Sequence, residues 1–410
     1  MSLLTRAEDA LGHPDGDPRH RPGTPGFRRL NQAMFFAGLA AFGLLYGTQP
    51  LLPMLTDAFG VDATQAALTV SVSTGALALC TAPAAALAER QGRVRVIRVA
   101  LVVAALASIA CALAPSYVVL VVARLVLGAA LGGVLGTAMG HVGTEVHPAG
   151  LGASMGLYVA GNTIGGVSGR VLTSLVSDFA GWRGGLVALT VFALAAMALF
   201  WVLLPEPVRF SPDATGRARL GRNRVAALVA LVVVPFALMG GFVAVYNFLT
   251  YRLTSAPFDL SPAIAGLAFL AYLAGTVTSA TAGRLADRVG RLPVLLAGAA
   301  VMLVGLLVTL SGSLALVVVG LVVFTAGFFA AHATASGWAP QLLPSAPGRA
   351  SASYVMTYYA GSSVFGALLG FAWHGGAWPG VVLAVAALIG VGVLAAVAAW
   401  GLSRPDRASA

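Results

Sequence analysis

Gly283-Arg-Leu-Ala-Asp-Arg-Val-Gly-Arg291 is the stretch on which the fold turns. It is a short, charged break between two long apolar runs, and a near copy lies ~200 residues earlier. Leu87-Ala-Glu-Arg-Gln-Gly-Arg93 matches Leu285-Ala-Asp-Arg-Val-Gly-Arg291. A turn this tight between helices needs a glycine to reverse the chain, Gly92 in one copy and Gly290 in the other. The arginines (Arg90, Arg93, Arg288, Arg291) keep the turn at the water boundary. The carboxylates Glu89 and Asp287 can sit by a helix N-terminus or pair with an arginine. At nearly the same offset Tyr158-Val-Ala-Gly161 meets Tyr358-Tyr-Ala-Gly361, Gly166 meets Gly366, and Tyr46 meets Tyr246. Several matches in one order at one offset describe a duplicated unit. Parallel repeats of this kind place a substrate site near the bilayer midplane, between the halves.

Outward from the two loops, apolar runs long enough to cross a ~30 Å hydrocarbon core recur along the chain. Their expected bounds are 33–56, 64–87, 97–114, 117–140, 150–175, 185–204, 224–249, 263–283, 293–311, 314–337, 351–373 and 379–402. Only helices or closed barrels satisfy every backbone polar group in lipid. Barrel strands would alternate over about ten residues, so the runs predict an all-α membrane protein of twelve transmembrane helices. Pro205–Arg224, with three prolines and five arginines, falls between the sixth and seventh runs. The predicted organisation is a disordered cytoplasmic tail over 1–32 and a six-helix bundle over 33–204. A cytoplasmic linker over 205–223, a second bundle over 224–403 and a short tail over 404–410 follow.

Composition agrees. Of 410 residues, 59% are hydrophobic and 9% charged, with a mean hydropathy of +0.90, against roughly 25% charged in soluble domains. All 24 basic residues are arginine. Without lysine there is no Gly-Lys-Ser/Thr phosphate loop and no lysine Schiff base. The net charge of +10 forms no stripe with interleaved aromatics, so no nucleic-acid partner is expected. With both ends placed in the cytoplasm, twenty arginines fall in cytoplasmic segments and two, Arg183 and Arg252, outside. That bias predicts a multi-pass protein of the cytoplasmic (inner) membrane with both termini inside. Cys80 and Cys111 read as small apolar packing residues.

The duplicated loops resemble the signature loop of the major facilitator superfamily, Gly-x-Leu-Ala-Asp-Arg-x-Gly-Arg. The second copy matches throughout, from Gly283. The first departs at Ala85 and Glu89. The resemblance implies two six-helix bundles that rock about a central site, with the loops acting as a conformational latch. Arg124-x-x-x-Gly128 is similar to the family's intramembrane arginine motif. Gly161-Asn-Thr-Ile-Gly-Gly166 is similar to its antiporter motif, with Asn162 where many members carry proline. Tyr46-Gly-Thr-Gln-Pro-Leu-Leu-Pro53, Gly327-Phe-Phe-Ala-Ala-His332 and Tyr358-Tyr-Ala-Gly-Ser-Ser363 look like a drug:proton antiporter-like efflux subgroup. The implied partners are a small molecule, the bilayer and protons as coupling ion, with no cofactor and no metal; a monomer is expected to suffice.

Glycines 128, 132, 136 and 140, and then Gly161, Gly165 and Gly169, make smooth helix faces that neighbours can approach closely. Ionisable groups inside lipid are functional candidates by default. Arg124 lies about two turns into its helix and is expected in the cavity. Arg170 reads as nearer the outer end, snorkelling or paired with Asp178. His332 is a candidate for proton transfer or substrate bonding. Tyr46, Gln49, Tyr158, Asn162, Tyr246, Asn247 and Tyr358 belong to the first, fifth, seventh and eleventh helices, which line the cavity in the family. They form the expected substrate site with Arg124 and His332. No acidic residue lies mid-span. The cavity should therefore be neutral to positive, favouring a neutral-polar or anionic substrate over a lipophilic cation. Protons, if coupled, would use Asp57, Arg124, His332 or the substrate.

Two other classes are weaker. Gly152-Ala-Ser-Met-Gly156 matches a hydrolase nucleophile elbow, but that chemistry needs a preceding strand, so no enzyme is expected. His141, Glu145 and His147 read as solvated loop residues rather than a metal cluster. A receptor without transport is the weaker reading, because no appended signalling domain is read in the sequence.

Overall fold

A backbone in lipid must bond to itself, and the chain does so by forming helices almost everywhere. The computed structural model describes residues 17–208 and 222–403. Among them ten helices are long and apolar enough to cross a membrane. Two are double: Pro148–Leu203 and Pro347–Ser403, of 56 and 57 residues. At 1.5 Å per residue each would extend ~84 Å, far beyond a ~30 Å core. Each instead turns back at a break in its dihedrals. The first turns at Gly181 (φ 67°) and the second at Gly376 and Ala377. With each double helix taken as two, the described residues supply about twelve segments of spanning length.

The first span begins earlier than expected, at Pro25 rather than 33, with Thr24 capping the Phe27 N–H. The described part of the amino-terminal tail is also ordered. His20 N–H donates to Glu145 O at 2.8 Å and His147 N–H to His20 O at 3.0 Å, which straps residues 17–24 across the start of the fifth span. Val208 N–H likewise donates to Glu145 Oε2 at 2.7 Å. The seventh span starts at Arg222. The expectations for residues 1–16, 209–221 and 404–410 lie outside the described residues.

Both loop glycines take the conformation the turn demands, Gly92 at φ 94° and Gly290 at φ 95°. The arginines after them dock alike. Arg93 Nη1 donates to Thr144 Oγ1 at 2.6 Å, beside Gly140. Arg291 lies beside Gly337 and pairs with Asp287 at 3.5 Å. The duplication read from the sequence is thus repeated in contacts. It recurs where Gly161 presses on the carbonyl of Phe35 and Gly361 on that of Phe236. Gly128, Gly132 and Gly136 face the Ser73, Leu77 and Thr81 carbonyls of the second span. Gly165 and Gly169 face Leu39 and Gly43 of the first. A Cβ at these positions would collide with backbone, which cannot yield.

The first span is broken. Its helix ends at Leu45, a 3-10 turn covers Gln49–Leu51, and a short helix runs Leu52–Phe59. Past the helix end the backbone N–H groups turn to tighter bonds, Gly47 N–H to Leu44 O at 3.4 Å and Gln49 N–H to Tyr46 O at 3.0 Å, which leaves the last carbonyls of the helix short of regular partners. Arg124 adds donors there. Its Nη1 bonds Leu44 O at 2.8 Å, its Nη2 bonds Leu45 O, and its Nε bonds Thr69 O at 2.8 Å. A cation at a helix C-terminus also matches the helix dipole. Arg124 is 2% exposed and all three of its nitrogens are committed to backbone. In this structure Arg124 therefore caps a broken helix inside the membrane.

Contacts between halves are one-sided. Ser363 Oγ donates to Ser71 O at 2.7 Å, Thr56 and Tyr251 hydroxyls meet at 2.7 Å, and Ala263 N–H reaches Asp178 Oδ1 at 3.4 Å. Gly370 packs on Thr64 and Gly266 on Ser174. All lie between mid-span and the end opposite the arginine loops. The described hydrogen bonds between the halves thus join them from mid-span to the end opposite the arginine loops.

Arg124→Lys should be destabilising, because one ammonium cannot serve three diverging carbonyls. The expected loss is about 3 kcal/mol, read as a fall of roughly 3–6 °C in thermal unfolding of the protein in lipid nanodiscs. An unchanged midpoint would contradict the capping role.

Candidate functional site

Arg170 sits on the fifth span, eleven residues before the turn at Gly181, ~16 Å from that end. It is thus near the middle of the membrane, not at its edge. It is 2% exposed and does not pair with Asp178. Among the described residues no carboxylate lies within ion-pair distance of it. Its Nη1 returns to Gly166 O at 2.7 Å, in its own helix. Its Nε donates to Gln49 Oε1 at 2.7 Å, and its Nη2 reaches Tyr272 Oη at 3.4 Å. Three rings surround the guanidinium carbon, Tyr46 at 4.4 Å, Tyr272 at 4.7 Å and Phe269 at 5.4 Å. Ring faces are negative, so they partly compensate a charge that burial makes expensive.

Broken helices bring these groups together. Gln49 begins the 3-10 turn that follows the break in the first span. Phe269 lies in a second 3-10 turn, Leu267–Ala271, inside the eighth span, and Tyr272 opens the helix after it. Two interrupted helices thus point at one arginine, the arrangement by which transporter folds build midplane sites.

From Arg170 a polar chain crosses between the halves. Gln49 Nε2 donates to Asn247 Oδ1 at 2.8 Å, and Asn247 Nδ2 donates to Gly366 O at 2.8 Å. Gln49 and Asn247 are both fully buried. Several buried hydroxyls nearby lack a partner. The Tyr46 hydroxyl lies beside Ser362 without closing a hydrogen bond, as does that of Tyr158 beside Asn162. The Tyr358 ring lies 5.1 Å from that of Tyr359. Unpaired buried donors and acceptors are costly, and a bound polar molecule is one way to satisfy them.

His332 belongs to a second cluster, in the carboxy-terminal half. Its Nδ1 is 2.9 Å from Tyr354 Oη, and its ring lies 4.8 Å from Tyr358 and 5.7 Å from Phe328. Aromatic stacking links the clusters through Phe328–Phe242 at 3.9 Å and Phe242–Tyr272 at 5.2 Å. Tyr246 is tied to Thr325 at 2.7 Å and its ring lies 4.6 Å from that of Tyr272, tilted to it.

Of the expected substrate residues, Tyr46, Gln49 and, through Gln49, Asn247 gather around Arg170 and Tyr272, and Tyr358 lies against His332. Tyr246 contacts Tyr272, Tyr158 and Asn162 lie along the fifth span, and Arg124 caps the first. Asp57 is exposed at the end opposite the loops, and Glu89, Arg90, Gly92, Asp287, Arg288 and Gly290 are exposed in the loops, with Gly283 half-buried. Arg170 and Tyr272 were under-read. A signal for Arg170 was present, because residues 158, 162, 166 and 170 are spaced by four and share one helix face.

The sequence model of the Major Facilitator Superfamily matches residues 34–258. The inner membrane transport protein YnfM of Escherichia coli is 43% identical over 377 residues, covering 91% of this chain and 90% of that protein. The uncharacterized MFS-type transporter YybF of Bacillus subtilis is 35% identical over 367 residues, 88% of this chain and 91% of that one. A bacterial homologue of the human lysosomal transporter Spinster, solved inward-facing and occupied, superposes with a TM-score of 0.70 at 16% identity. It covers 93% of this chain and 96% of its own. A variant of the nucleoside transporter NupG superposes at 0.69 and 15% identity, covering 91% and 99%. At these identities the two structures speak for the fold alone.

The closeness of the halves predicts a covalent trap. A Cβ on Gly75 would lie 3.3 Å from that of Ser363, near the separation in disulfides. Gly75→Cys with Ser363→Cys, in a chain with Cys80 and Cys111 replaced by alanine, should cross-link readily on mild oxidation. The readout is a gel of protein cleaved in the 205–223 linker; two separate fragments would contradict the described approach.

Proposed function

The chain belongs to the major facilitator superfamily, and on that premise we propose that it exports a small neutral-polar or anionic organic solute in exchange for protons. It is a multi-pass membrane transporter and not an enzyme. In the proposed cycle the halves rock about the Arg170 cluster, exposing it first to one side and then to the other. The loop end faces the cytoplasm in this reading, as the arginine bias across the segments supports. Both termini are then cytoplasmic, the membrane is the inner one, and a single chain is the working unit.

One observation carries the substrate class: a buried arginine at the junction of the halves with no carboxylate to pair with. A lipophilic cation would have to approach an uncompensated positive charge in a low-dielectric site, which is costly. An anion or a hydroxylated neutral molecule meets donors and rings instead. Proton coupling is assigned to His332, which holds Tyr354 and touches Tyr358 and is an ionisable group placed inside a span. Asp57, exposed at the far end, is poorly placed for it.

Proteoliposomes loaded with a panel of acids, sugars and cationic dyes should show faster flux of an anionic or polar solute when a pH gradient is imposed. Cationic dyes should not move. His332→Gln should keep flux down the solute's own gradient but lose most of the acceleration by pH, about tenfold or more. Ethidium export without acid or sugar movement would overturn the substrate class, and an intact pH response in His332→Gln would overturn the coupling residue.

A further inference from the structure

We propose that the ligand is an organic carboxylate and that it unlocks the closed end by taking Gln49's place on Arg170. This inference rests on the transporter reading above and gives its central site a ligand chemistry and a gate.

The guanidinium has one edge suited to a two-oxygen ligand, formed by Nε and Nη2. Both atoms are held by weak substitutes. Nε has the neutral amide oxygen of Gln49 at 2.7 Å, and Nη2 has the phenol of Tyr272 at 3.4 Å. The third nitrogen is anchored to Gly166 O and stays in place. A carboxylate on this edge would replace both substitutes at once and neutralise the buried charge. The rings of Tyr46, Tyr272 and Phe269 are placed to contact a planar or apolar body. The Tyr46 and Ser362 hydroxyls, buried and without closed hydrogen bonds, would gain a partner.

The displaced group is not passive. The Gln49 amide has two ends, one on Arg170 and the other on Asn247 Oδ1 across the half-to-half junction. Asn247 in turn holds Gly366 O of the eleventh span, whose helix makes the Ser363 to Ser71 bond with the second. When the ligand takes the arginine edge, Gln49 loses the donor that orients its amide. The bridge to Asn247 then weakens, on the side of the protein where the halves are joined. Arg170 thus reads the ligand and Gln49 passes its arrival to the closed end. A ligand shifts a conformational equilibrium only by binding one state better, and here the difference is the competition between ligand and Gln49 for one edge.

The test uses the full chain in lipid nanodiscs, titrated calorimetrically with 4-hydroxybenzoate, benzoate and lactate and with the amide of each. At least one acid should bind, with its amide about tenfold weaker or more. Arg170→Lys keeps the charge but not the forked edge and should weaken that acid about tenfold. Gln49→Glu places a resident carboxylate on the edge and should abolish binding while the chain still unfolds near the wild-type temperature. Gln49→Ala should leave the acid bound at least as tightly. In the Gly75→Cys, Ser363→Cys protein the acid should slow cross-linking about threefold or more, and added Gln49→Ala should slow it without ligand.

Amides binding as well as acids, no acid binding at all, normal binding by Gln49→Glu, or cross-linking indifferent to a bound acid would each overturn the proposal. Flux of some other solute in proteoliposomes would in those cases leave the transporter reading standing. Conversely, acid binding without flux under any gradient would sink the transporter reading and leave the site.

Discussion

A positive charge held in the middle of a membrane without a negative partner sets the terms for the rest of this molecule. Arg170 is 2% exposed and compensated only by a carbonyl, an amide oxygen, a distant phenol and three ring faces. In a medium of low dielectric such a charge costs several kcal/mol. Its surroundings hold it in place without neutralising it, which leaves room for a partner that comes and goes. The two interrupted spans follow from this, since continuous helices would not present Gln49 and Tyr272 at that point.

The second buried arginine, Arg124, solves a different problem with the same side chain. Breaking the first span frees carbonyls in lipid, where they cannot be left bare. Arg124 covers two of them and a third from the second span. One arginine thus makes the break affordable and the other exploits it. The glycine faces of the fourth and fifth spans bring the helix backbones close enough for both to reach.

The architecture was legible in the sequence because its signals are strong and repeated. The loops at Gly92 and Gly290, the apolar runs and the arginine bias each point to twelve crossings in two halves. Helix ends were less so. The turn at Gly181 and the start at Pro25 depend on local dihedrals and a Thr24 cap, which hydropathy does not register. The site was half legible. Gln49, Asn247, Tyr46 and Tyr358 stand out as polar groups in apolar runs, and the structure brings them together. The partners of the two arginines were not legible, because the true span ends lie beyond those hydropathy marks. Arg170 looked peripheral against an end at 175, but the span runs on to the turn at 181. Tyr272 was hidden at the start of a helix that reads as continuous.

The account's central claim is that the halves, joined at one end in this structure, exchange that closure for the other around a fixed site. Spin labels at Ala58→Cys and Ser255→Cys would report the joined end, and at Gln91→Cys and Ser351→Cys the loop end. Double electron–electron resonance on both pairs, in nanodiscs with a transported solute added, should show the first distance lengthening as the second shortens. Two distances that rise and fall together, or that ignore the solute, would contradict it.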